Sequence, residues 1–228
     1  MIADLIVNGI AEISPLEPHK VKEIQDYLKD KIIFKGSHIA ARPGDDDYVG
    51  AYPLDIAVNC PHLIKTALTW ADLAYWMFGR KEPVLYSVNI FTTYPGGIAR
   101  KDLHDWHRDM DDCQQLAIFL AVSDIPESAA HCYLEESQRK DGEGVAYYLP
   151  RREIFGPAGT MWIENPYGYH YGKEPTEGPR TIAWARFGVS DRPKAYIEDH
   201  NYPVPTNLYN ELTDRERHIC RLLIAPPL

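Results

Sequence analysis

The chain has 228 residues and a mass of 26.0 kDa, which suits one ordinary domain with a substantial core. Lys and Arg number 24 against 33 Asp and Glu, so the formal net charge is −9; an acidic chain lacks the basic patches that neutralise phosphates, which argues against nucleic acids and anionic membranes as partners. No run approaches the roughly 18–20 uncharged apolar residues of a membrane span, Asp4 breaks the apolar N-terminal stretch without a preceding basic segment, and the four cysteines are widely spaced with no C-x-x-C pair. The expectation is a cytoplasmic protein with free thiols.

The N-terminal third reads as helical. Ser14-Pro15-Leu16-Glu17 has the form of a helix start, Pro18 offers a second start, and Val21, Ile24 and Leu28 then recur on one face. The stretch from Phe34 to Tyr52 is irregular, with Gly36, Pro43-Gly44 and the triplet Asp45, Asp46, Asp47, read as a solvated loop with a lid as the alternative. Asn59 is expected to cap a second helical region running to Phe78, with a restart near Thr69 and Asp72 and a stop at Gly79. After Gly79 the pattern changes. Val84 to Thr93, Leu116 to Val122, Thr160 to Ile163 and Thr181 to Phe187 are strand-like, and Gly/Pro turns such as Tyr94-Pro95-Gly96-Gly97 and Asn165-Pro166-Tyr167-Gly168 punctuate them. Short strands with such punctuation predict a β-sandwich or barrel. The expected organisation is a single domain over 1–228, mainly β with flanking α-helices: helices within about 14–78, a β core within about 83–190, and a tail over 191–228 ending in a helix from Asn210 to Leu223.

The chemistry concentrates in His107-Arg108-Asp109. In an extended segment, residues i and i+2 point to one side, so an imidazole and a carboxylate at this spacing can grip one metal ion. His170, after a strand and a tight turn, adds a second imidazole, and two histidines with one carboxylate are the facial triad of non-haem Fe(II) oxygenases. Alone, H-x-D is a weak signal, more often two solvated side chains in a polar loop. Arg180, ten residues beyond His170, opens a strand; a buried guanidinium there needs an anionic partner and suits a carboxylate in bidentate fashion.

With these residues in place, the chain resembles the phytanoyl-CoA dioxygenase-like family of Fe(II)/2-oxoglutarate oxygenases, over roughly residues 5 to 190. The resemblance rests on Asn8-Gly9-Ile10, on Trp106-His107-Arg108-Asp109, on the strand from Leu116 to Asp124, and on Gly159-Thr160-Met161-Trp162 leading to His170 and Arg180. The segment 127–138, ESAAHCYLEESQ, departs from the family's Asn-Gly-Pro and Gly-Ser-His loop. The resemblance implies a double-stranded β-helix (a jelly-roll, cupin-like core), Fe(II) held by His107, Asp109 and His170, 2-oxoglutarate as cosubstrate with its distal carboxylate on Arg180, and O2 as oxidant. It implies hydroxylation of a small molecule with release of succinate and CO2. Asp109 favours that outcome over halogenation, because the related halogenases carry a small residue at the carboxylate position.

Neighbouring residues carry competing readings. Arg186 shares a strand face with Arg180 and is the rival cosubstrate anchor. Asn89 is a candidate hydrogen-bonding partner of the cosubstrate or substrate, or else an edge residue. His104 lies three residues from His107 and does not share its side. His131 falls in the variant loop, as a substrate contact or as an ordinary loop residue. Asp111 and Asp112 read as solvated or as supports to the triad. Phe119, Trp162, Trp184 and Tyr94 read first as packing. A non-catalytic metal-binding cupin-like module and a cupin enzyme without 2-oxoglutarate are the rival functions; Arg180 is the residue that speaks against the second.

Overall fold

The computed structural model describes residues 1–35, 49–95, 105–139, 148–191 and 202–227. A short helix α1 (Ile2–Asn8) ends at Gly9, whose φ of 83° lies in the left-handed region that a Cβ disfavours, and leads into strand β1 (Ile10–Ile13). Neither element has a strong sequence signature. Helix α2 (Pro18–Leu28) begins at the second of the two expected starts, with Pro18 in its first turn; Val21, Ile24 and Leu28 are its buried face. Two short strands, β2 (Phe34–Lys35) and β3 (Val49–Ala51), follow.

The expected second helix is three pieces: α3 (Leu54–Val58), α4 (Leu63–Leu68) and α5 (Ala71–Met77). Asn59 ends α3 instead of starting a helix. Pro61 and the left-handed His62 (φ 67°) break the chain before α4, and the expected restart after Thr69 is present. Gly79, at φ 65°, provides the stop.

The β core contains β4 (Val84–Thr93), β5 (Gln115–Ala121), β6 (His131–Leu134), β7 (Arg151–Ile154), β8 (Met161–Glu164), β9 (His170–Gly172) and β10 (Arg180–Gly188). Beyond it lie β11 (Tyr202–Pro203), α6 (Thr206–Glu211), α7 (Asp214–Ile219) and β12 (Ile224–Ala225), so the expected terminal helix is two shorter ones. One sheet runs β1-β8-β5-β10-β4-β3-β2 and a second runs β7-β6-β9, all antiparallel within each. His107 pairs with His170 through two backbone hydrogen bonds of 3.0 and 3.1 Å, extending the smaller sheet by one more extended segment beside β9.

The faces of the larger sheet do different jobs. Ile118, Leu120, Ala183, Ala185 and Phe187 pack outward against α2–α5. Ala117, Phe119, Ala121, Trp162 and Ile182 face inward toward Tyr133 and Ile154 of the smaller sheet. All seven residues of β5 are buried because both its faces are covered, which is why it reads as an unbroken apolar run. Two facing antiparallel sheets with this strand order form a double-stranded β-helix with helices laid on one outer face. Among the described residues, no helix is long and apolar enough to cross a membrane, and all four cysteines are free.

Candidate metal centre

The cross-strand pairing of His107 with His170 sets the centre. Their rings lie 4.3 Å apart. Each ring is oriented in the same way: Nδ1 of His107 bonds the carbonyl of Asp105 at 2.9 Å, and Nδ1 of His170 bonds the carbonyl of Gly168 at 2.9 Å. A carbonyl only accepts, so Nδ1 carries the proton in both rings and the lone pair is on Nε2. Asp109 is fixed by its own N–H to Pro166 O at 2.9 Å and by the side chain of Gln115, which donates to its carbonyl. Asp109 Oδ2 stands 3.5 Å from His170 Nε2. One ligand atom from each of His107, Asp109 and His170 falls within 4.8 Å of the others. The three residue types expected together from H-x-D and the distant histidine are therefore brought together, and their donor chemistry, two neutral imidazole nitrogens and one carboxylate, fits a divalent transition metal.

The electrostatics hold Asp109 ionised and His107 neutral, while the acidic neighbours of His170 favour its proton until a metal displaces it. Burial raises the Asp109 carboxyl, but Arg186, His170 and His107 outweigh it and hold it well below the usual carboxylate range. Burial and then the neighbouring His170 push the His107 imidazole down to about 4. Burial also disfavours the charged form of His170, yet Glu164 and Asp109 prevail and raise it above the ordinary histidine value. Arg186 bridges Asp109 and Asp111, bonding Asp111 at 2.5 Å, and lies 4.2 Å over the Trp184 ring. Asp112 is not solvated: its carboxylate takes the amides of Val189 (2.6 Å) and Ser190 (2.7 Å) and clamps the end of β10. A register shift in β10 between Arg186 and Phe187 sits at this level, where bulges characteristically re-aim side chains.

Sequence reasoning missed Glu164. It is fully buried on β8, and its Oε2 meets His131 Nε2 at 2.6 Å. His131 lies on β6, not in an ordinary loop, with its ring 5.3 Å from Phe119, 5.2 Å from Trp162 and 5.8 Å from His170. Phe119 and Trp162 are stacked at 4.9 Å, so their packing role is as expected. The signal for Glu164 was available only as an acidic residue ending an otherwise apolar strand.

Arg180 opens β10 opposite Thr93 and is 3% exposed. Its guanidinium donates to Ala129 O at 2.5 Å and Thr93 Oγ1 at 3.3 Å and lies against Gly172, where a Cβ would come within 2.5 Å of Nη2. Gly172 is two residues along β9 from His170, so the cation reaches back toward the triad from the far end of β10. Asn89 is buried and inward-facing opposite Trp184; its Oδ1 has no hydrogen-bond partner among the described residues. His104 and the triplet Asp45, Asp46, Asp47 lie outside the described residues.

The double-stranded β-helix is shared with solved structures at low sequence identity. No protein-family model matches the chain, and no curated protein matches it in sequence. The non-haem α-ketoglutarate-dependent epimerase SnoN from nogalamycin biosynthesis aligns with 86% of this chain and 85% of its own, at 14% identity and TM-score 0.65. The non-haem α-ketoglutarate-dependent carbocyclase SnoK from the same biosynthesis covers 82% of each chain, at 16% identity and TM-score 0.59. HygX from Streptomyces hygroscopicus, solved with nickel and 2-oxoglutarate, covers 82% of this chain and 85% of its own, at 14% identity and TM-score 0.54. At these identities the likeness establishes the fold.

Proposed function

We propose that this chain is an Fe(II)/2-oxoglutarate-dependent oxygenase of the phytanoyl-CoA dioxygenase-like kind, acting on a small molecule. The observation that carries the reading is the convergence of His107 Nε2, Asp109 and His170 Nε2, with both Nδ1 positions committed to backbone carbonyls. His107, Asp109 and His170 hold the metal; bound Fe(II) supplies the redox chemistry that couples decarboxylation of 2-oxoglutarate to substrate oxidation. Arg180 binds the distal carboxylate of the cosubstrate, with Gly172 leaving space for the guanidinium and Ala129 and Thr93 fixing its plane. Asn89 offers an acceptor in the inward row between the two ends. Arg186 is assigned to Asp109 and Asp111, which keeps Asp109 ionised for the metal and takes Arg186 out of the role of cosubstrate anchor.

The comparisons support the cofactor reading: HygX was solved with 2-oxoglutarate, and SnoN and SnoK are named as α-ketoglutarate-dependent. We assign hydroxylation as the outcome because the carboxylate position is filled. The test is a 2-oxoglutarate titration of the Fe(II)-loaded protein under anaerobic conditions, followed by succinate measurement in air with candidate substrates. Binding of 2-oxoglutarate that requires the metal, lost in His107→Ala and His170→Ala, supports the reading. A chain that binds neither metal nor 2-oxoglutarate refutes it.

A further inference from the structure

The interior of the barrel holds a carboxylate that the proposed reaction does not use. Glu164 is 0% exposed at the end of β8, in the cross-strand row that runs Ser87, Arg186, Ala117, Glu164. One oxygen, Oε2, is taken by His131 at 2.6 Å. The other, Oε1, is buried, has no hydrogen-bond partner among the described residues, and stands 3.9 Å from His170 Nε2. A buried acceptor on a charged group is costly to leave unmade, and the great majority of such groups have a partner. His170 Nε2, at 3.9 Å, offers this oxygen charge but no hydrogen bond, so the donor it lacks is something that the protein binds.

Geometry restricts what it is. Two atoms on one metal ion of this type are separated by at most about 4.2 Å, twice a bond of roughly 2.1 Å. Glu164 is outside the set whose ligand atoms all lie within 4.8 Å of one another, so it is not a fourth ligand beside His107, Asp109 and His170. It cannot readily swing inward, since His131 holds Oε2 and Phe119, Trp162 and His170 surround the His131 ring. Yet it lies near the coordinating nitrogen of His170, at the distance of a group that touches what the metal carries. A carboxylate there repels another carboxylate and attracts a donor hydrogen.

We infer that Glu164, clamped by His131, is a positioning residue whose Oε1 accepts a hydrogen bond from a proton-bearing ligand of the bound metal, water in the absence of substrate. This inference rests on the proposed metal centre. Its consequence is a second negative charge beside a site whose protein ligands supply only one. The distal carboxylate of 2-oxoglutarate is directed away from Glu164, toward Arg180 at the other end of β10.

The test is titration of the metal-free full-length protein with Mn2+ alone, by calorimetry, for the wild type and Glu164→Gln, with Co2+ absorption recorded in parallel. Glutamine keeps a hydrogen bond to His131 and removes the charge. The expected result is a Mn2+ affinity weakened on the order of tenfold, as for other groups that support metal ligands, with the Co2+ bands unmoved and the metal-free Tm close to wild type. An unchanged Mn2+ affinity overturns the inference and leaves Glu164 as a structural partner of His131. Shifted Co2+ bands also overturn it, because Glu164 would then be a ligand. Should Glu164→Gln not fold, Glu164→Asp, which withdraws the carboxylate by one methylene, is expected to weaken Mn2+ binding, and undiminished affinity overturns the assignment. A wild-type protein that takes up no Mn2+ refutes the metal centre itself, an outcome distinct from all of these.

Discussion

Arg180 and Arg186 point from one strand into one barrel, and a single pair of substitutions decides which of them anchors the cosubstrate. Arg180 is 3% exposed and donates to the carbonyl of Ala129 and the hydroxyl of Thr93. Arg186 is bonded to two carboxylates, Asp109 and Asp111. A guanidinium and a carboxylate about 4 Å apart interact by roughly 4 kcal/mol at an effective dielectric near 20. Truncating one partner of a desolvated, hydrogen-bonded charge pair costs about 2–5 kcal/mol. At 1.4 kcal/mol per decade, Arg180→Met should raise the Kd for 2-oxoglutarate by roughly 30-fold to several thousandfold, leaving Mn2+ affinity nearly unchanged. Arg186→Met should do the reverse: Mn2+ binding weakens because Asp109 loses its counter-charge, while cosubstrate affinity of the metal-saturated protein stays within a few-fold. Calorimetric titration of 2-oxoglutarate into Mn2+-saturated protein reads the first quantity, and Mn2+ titration of metal-free protein reads the second. If Arg180→Met is folded and binds 2-oxoglutarate like the wild type while Arg186→Met does not, the anchor is Arg186 and the reasoning from burial and pairing is refuted.

Gly172→Ala places a Cβ within 2.5 Å of Arg180 Nη2 and should displace the guanidinium; the expected effect is weaker 2-oxoglutarate binding with Mn2+ affinity retained, checked by the same two titrations. Trp162→Ala removes a fully buried ring stacked on Phe119 and should cost about 3–5 kcal/mol of stability by denaturant unfolding. The stability of the metal-free protein should depend on pH in two opposed ways. His107 is held down to about 4, so its neutral form is favoured on folding, and stability falls by up to about 3 kcal/mol as pH drops from about 6.5 toward that value. His170 is raised, so its contribution is complete below about 6.5 and is lost as pH climbs through its folded value. A maximum near pH 6.5 in urea-unfolding free energy is expected, and a profile rising monotonically to pH 9 would contradict the assignment.

The long strands were legible because their residues announce them. Val84 to Thr93 and Arg180 to Gly188 are rich in β-branched and aromatic residues, and β5 is apolar throughout because both its faces are covered. The short strands of the smaller sheet were not legible. β6, β7 and β9 are three or four residues each, too short to show a period, and β7 carries Arg151, Arg152 and Glu153 toward solvent and neighbouring charges. β1 is paired only on one side and gave no turn signal of its own. The helical third was legible as helical but not in its joints, because Asn59 is as good a C-cap as an N-cap and only the backbone at His62 decides.

The chemistry was legible where it is local and hidden where it is not. His107 and Asp109 are two residues apart, and the alternation of an extended segment alone puts them together. The groups that give them their properties are far away in sequence: Arg186 is 77 residues from Asp109, and Glu164 is 33 from His131. This separation also changes the meaning of the net charge of −9. The segment from Lys101 to Asp112 carries five aspartates, an apparent excess of three negative charges, yet Asp109 and Asp111 share Arg186, and Asp112 is spent on the backbone amides that close β10. Composition counts these as acidity available to a ligand, but the fold neutralises or engages most of it before any ligand arrives. Among the described residues, the buried carboxylate with an oxygen left over is Glu164, which no charge cluster marks. A single acidic residue at the end of an apolar strand carries little weight in a sequence, and it acquires its role only when β8 is laid beside β5 and the smaller sheet closes over it with His131 and His170.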